Sequence, residues 1–150
     1  MARNSEAAFL NQVLKGHRDA IALCQSVARV SQIVDDLVDR DRDVSDATIT
    51  AAFWEALFTI PANPFYQRHF GVLNPALQSA YIDWMDATKL EREGDDHSLS
   101  VAFALRSTLA TFVIQCARLV GGYGWMQQVS VPIRRHVHED SLEQYKQEFE

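Results

Sequence analysis

Between Arg18 and Arg40 the apolar residues Val27, Val30, Ile33, Val34, Leu37 and Val38 recur every three or four positions. A helix turning by about 100° per residue gathers them into one stripe. That period does not suit a strand, whose side chains alternate between two faces. Helical spacing dominates the rest of the 150 residues, with no persuasive alternating run and no hairpin dipeptide between β-branched segments. The expectation is an all-α fold, a single-domain bundle of about six helices over residues 1–150.

Punctuation divides the chain. Ser5 and Glu6 start a short first helix that ends near Gly16, and the second runs from about Arg18 to Arg40. Ser45 or Asp46 caps a third, ATITAAFWEALF, which stops before Pro61 and Pro64, and PFYQRHFG is at most a short helical turn. Asn74 followed by Pro75 reads as the cap and first turn of a fourth helix ending at Gly94. Asp95, Asp96 or Ser98 then starts the fifth and most apolar helix, which ends at GGYG, residues 121–124. The segment WMQQVSVPIRRHVHED is ambiguous around Pro132, and Ser141 caps a last amphipathic helix ending at Glu150.

Composition narrows the partners. A 47% hydrophobic fraction with 23% charged residues, four prolines and six glycines is that of a compact globular chain. The net charge is -6 and the basic residues are scattered apart from Arg134, Arg135 and His136, which disfavours nucleic acid and anionic membranes. Arg106, Gln115 and Arg118 interrupt the apolar stretch Val101 to Val120, so it reads as a buried helix and not a membrane span. Glu6 stands where a signal peptide needs an unbroken apolar run, so the expected location is the cytoplasm. Cys24 and Cys116 sit in apolar-periodic stretches, as small buried hydrophobes do.

The stretch QIVDDLVDRDRD, residues 32–43, concentrates aspartates at the end of the second helix. Asp35 and Asp39 are four apart and stand one above the other. Such carboxylates repel unless a cation lies between them, and oxygen ligands of this kind suit Mg²⁺ with a substrate phosphate. They point away from the centre of the apolar stripe, so a solvated face is the geometric default. Their sector also holds Ile21, Cys24, Ala28 and Ser31, small or apolar residues that suit the wall of a cavity. On the fourth helix Asp83 and Asp86 are three apart, and two helices presenting carboxylates to each other can hold a metal pair. His136 and His138 share a face only in an extended segment, and no P-loop, nucleophile elbow or dinucleotide fingerprint is present.

The stretch ALCQSVARVSQIVDDLVDRD, residues 22–41, resembles the first aspartate-rich helix of the squalene and phytoene synthase family, with Asp35, Asp36 and Asp39 matching DDxxD. CARLVGGYG, residues 116–124, is similar to the glycine-containing helix of that family. The resemblance implies the all-α isoprenoid synthase fold, Mg²⁺ held by Asp35, Asp36 and Asp39, and a prenyl or other diphosphate as ligand. It also implies that Phe112, Arg118 and Gly121 line the substrate cavity. Arg118 stands where the family pattern carries glycine, Phe112 where an aromatic hydroxyl is expected, and the second aspartate-rich motif has no counterpart in the 150 residues. One motif leaves such a metal site half built, so binding is the leading expectation and catalysis is not assigned. Two other readings stand beside it. One is an Mg²⁺-dependent all-α nucleotide pyrophosphohydrolase. The other is a non-enzymatic interaction module that self-associates as a homodimer, with the aromatic segment 53–70 either covering the core or forming a partner surface.

Overall fold

The structure, a computed structural model, describes residues 2–150. It is all-α, with no strand among the described residues. Contacts divide the chain into two compact units, Met1–Phe70 and Gly71–Glu150.

In the first unit, helix α1 (Ala2–Val13) ends in a turn where Lys15 and Gly16 both take left-handed backbone angles. Helix α2 (Arg18–Asp39) begins with His17 as cap, its ring Nδ1 accepting from the Ala20 amide at 3.2 Å. It ends where Arg40 turns left-handed and its amide donates to the Asp36 carbonyl at 3.1 Å. Ser45 caps α3 (Asp46–Trp54) by accepting from the Thr48 amide. The helix then widens into a π-turn, Glu55–Thr59, and continues as α4 (Ile60–Ala62).

Asn63 ends that run and starts α5 (Pro64–Arg68). Its Oδ1 accepts from the Tyr66 amide at 3.0 Å, and its Nδ2 donates to the Asp19 carbonyl at 2.9 Å, tying the start of α5 to the first turn of α2. Pro64 at the first helical position needs no amide bond there. α2 packs against α3, the π-turn, α4 and α5. Leu23, Cys24 and Val27 of α2 are buried, as are Ile60 and Phe65.

The second unit contains nearly all of α6 (Phe70–Glu93), then α7 (Asp96–Leu105), α8 (Thr108–Gly121), α9 (Tyr123–Val137) and α10 (Leu142–Gln147). Three sequence expectations change here. Asn74 and Pro75 do not open a helix: α6 starts at Phe70 and carries Pro75 inside. The bond Pro75 forgoes is to the carbonyl of Gly71, one turn from the helix start, and both residues are exposed. A missing amide is least costly there.

The fifth predicted helix is two, α7 and α8, parted at Arg106 and Ser107. Ser107 Oγ donates to the Ala104 carbonyl at 2.9 Å, so a hydroxyl competes with the helical ladder at the break. The ambiguous segment after GGYG is helical. α9 follows α8 across Gly122, whose φ of 87° is left-handed, and the two pack against each other.

Asp95 caps α7, its carboxylate accepting from the Ser98 amide at 3.0 Å and the Ser98 hydroxyl at 2.6 Å. Ser141 caps α10 in a capping box completed by Gln144. The buried side chains Leu73, Phe112, Cys116 and Ile133 come from α6, α8 and α9.

Candidate functional site

The three aspartates of α2 have different surroundings. Asp36 is buried and accepts from Gln32 Nε2 at 3.0 Å, one turn earlier on the same helix. Asp35 is half-buried and Asp39 exposed. Leu37, in the apolar stripe, is 39% exposed while Asp36 is 8% exposed, so the buried side of α2 shifts round at its last turns. Of the small-residue sector, Cys24 is buried, Ile21 and Ala28 are half-buried, and Ser31 is exposed. The expected wall of small residues therefore opens to solvent one turn before Asp35.

Asp83 and Asp86 lie in the other unit and have separate environments. Asp83 is half-buried and accepts from Thr108 Oγ1 at 2.8 Å, joining α6 to the start of α8, whereas Asp86 is exposed. Among the described residues, no group of three or more His, Cys, Asp or Glu side chains is arranged to hold a metal ion. His138, two residues from His136, lies against the Phe103 ring at 4.4 Å between centroids.

The residues assigned to a prenyl cavity sit as follows. Phe112 is 1% exposed, inside the core. Arg118 is half-buried and donates from Nε to Gln115 Oε1 at 2.8 Å, within its own helix. Gly121 underlies the Trp125 indole: a methyl group at Gly121 would overlap the Cβ, Cγ and Cδ1 atoms of that side chain.

No known protein family matches this chain, and no curated protein or solved structure is significantly similar to it. The likeness to squalene and phytoene synthases thus rests on the two quoted stretches of sequence.

Two other features emerge from the coordinates. The first is a polar knot in the second unit. The Arg106 guanidinium pairs with Glu91, its Nε donating to Oε2 at 3.2 Å, and its Nη2 donates to Thr88 Oγ1 at 3.3 Å. It lies 5.9 Å from the centre of the Trp84 ring. The Tyr145 hydroxyl of α10 donates to the same Glu91 carboxylate. Burial first, then the hydrogen bond to Glu91 and its charge, hold the Tyr145 phenol well above its ordinary range. The sequence signal for this knot was Arg106 alone, a cation in the most apolar stretch. By length and composition Asp96–Gly121 could cross a membrane, but this run is broken at Arg106, whose charge is ion-paired.

The second feature is an apolar face without cover. No residue of α3 or the π-turn is buried, and Phe53, Trp54, Leu57 and Phe58 are 61%, 65%, 60% and 54% exposed. Trp54 and Phe58 meet edge to face at 4.8 Å. The inner side of this run is fixed to α2 by Glu55, which accepts from Arg29 Nε at 3.0 Å. Burial raises the Glu55 pKa, but the hydrogen bonds from Arg29 and Ser26 and the Arg29 charge outweigh it, leaving the carboxyl below its usual range. The segment 53–70 was expected either to cover the core or to form a partner surface. Phe53, Trp54, Leu57, Phe58 and Phe70 are exposed, while Ile60, Phe65 and Tyr66 are buried.

Proposed function

We propose that this small all-α protein is an interaction module that self-associates through the aromatic face of α3 and its π-turn. The observation that carries the reading is the run from Asp46 to Thr59, in which no residue is buried although it carries four large apolar side chains, Trp54 and Phe58 in edge-to-face contact. Single exposed hydrophobics are ordinary, but a contiguous aromatic patch marks a contact surface on soluble proteins. The π-turn adds to this, because such widened turns recur at functional positions.

A second copy is the partner that the charges favour. The face has one charged neighbour in its own run after Asp46, and that residue, Glu55, is neutralised by Arg29 of the same chain. Two such faces meet without like-charge repulsion despite the net charge of -6, and a two-fold axis lets one patch serve both partners.

Sedimentation velocity tests the reading. The wild-type chain is expected to be dimeric at micromolar concentration, and Phe53→Ser with Leu57→Ser monomeric with an unchanged helical circular dichroism spectrum. A monomeric wild type would overturn it. A parallel thermal-shift panel asks whether Mg²⁺ with a prenyl diphosphate analogue, or with a nucleoside triphosphate, raises the melting temperature. The expected result is no metal-dependent rise. A rise abolished by Asp35→Asn with Asp39→Asn would favour the diphosphate-binding reading instead.

A further inference from the structure

We draw no further inference here: the strongest candidate, the exposed apolar patch of Tyr81, Ile82 and Met85 on α6, carries nothing because nothing in the structure shows what covers it.

Discussion

Gly121 is small because Trp125 lies on it. A methyl group there must displace a tryptophan near its own backbone, and overpacking of this kind costs about 1–3 kcal/mol. Gly121→Ala is therefore expected to lower the denaturation midpoint measured by tryptophan fluorescence. Two titrating side chains contribute to stability at opposite ends of the pH range. Glu55 has a lowered pKa, so its contribution is present above about pH 4.5 and is lost as pH falls through the folded value. Arg29 is 60% exposed, which keeps that contribution under about 1 kcal/mol. Tyr145 has a raised pKa, so the folded state keeps a proton that the unfolded state loses near pH 10, and stability declines as pH rises from there. Urea midpoints across both limbs, with Glu55→Gln and Tyr145→Phe as comparisons, should show the acid limb flattened by the first substitution and the alkaline limb by the second.

Buried apolar side chains pack the helices of each unit together, and a few polar side chains add specific links. Asp83 and Asp86, paired by sequence as metal ligands, separate on this criterion. Asp83 accepts the Thr108 hydroxyl and so joins α6 to α8, while Asp86 is exposed. Asp83→Ala is expected to cost about 1 kcal/mol, the usual worth of such a bond, and Asp86→Ala close to nothing, read from chemical denaturation. The contrast between α2 and α3 makes the same point about faces. α2 packs against the whole run from α3 to α5 and buries Leu23, Cys24 and Val27, whereas no residue of α3 or the π-turn is buried. Past the π-turn Ile60 is buried although Leu57 and Phe58, a few residues before it, are exposed.

Cys24 and Cys116 place one buried thiol in each compact unit, which makes them built-in reporters of the whole chain. Neither is expected to react with a thiol reagent in the native protein on a timescale of minutes, and both should react once denaturant unfolds their unit. Rapid labelling of either in buffer would contradict the burial described above.

Local chemistry made much of the fold legible from the sequence. The stripe of α2 and the caps at Ser45, Asp95 and Ser141 depend on residues within one or two turns, and such signals survive whatever surrounds them. What could not be read there depended on distant residues. Glu91 and Tyr145 gather at Arg106 from 15 residues before it and 39 after it, and Thr108 reaches back to Asp83. Asp36 is buried where Asp39 is exposed, although both belong to one acidic run. The amino-acid order by itself determined that the chain is helical and where α2, α3, α7 and α10 begin, while the starts of α6, α8 and α9 were misplaced or unread. Only the tertiary structure decided which apolar faces are core and which remain open, because burial is a property of what packs over a side chain and not of the side chain itself.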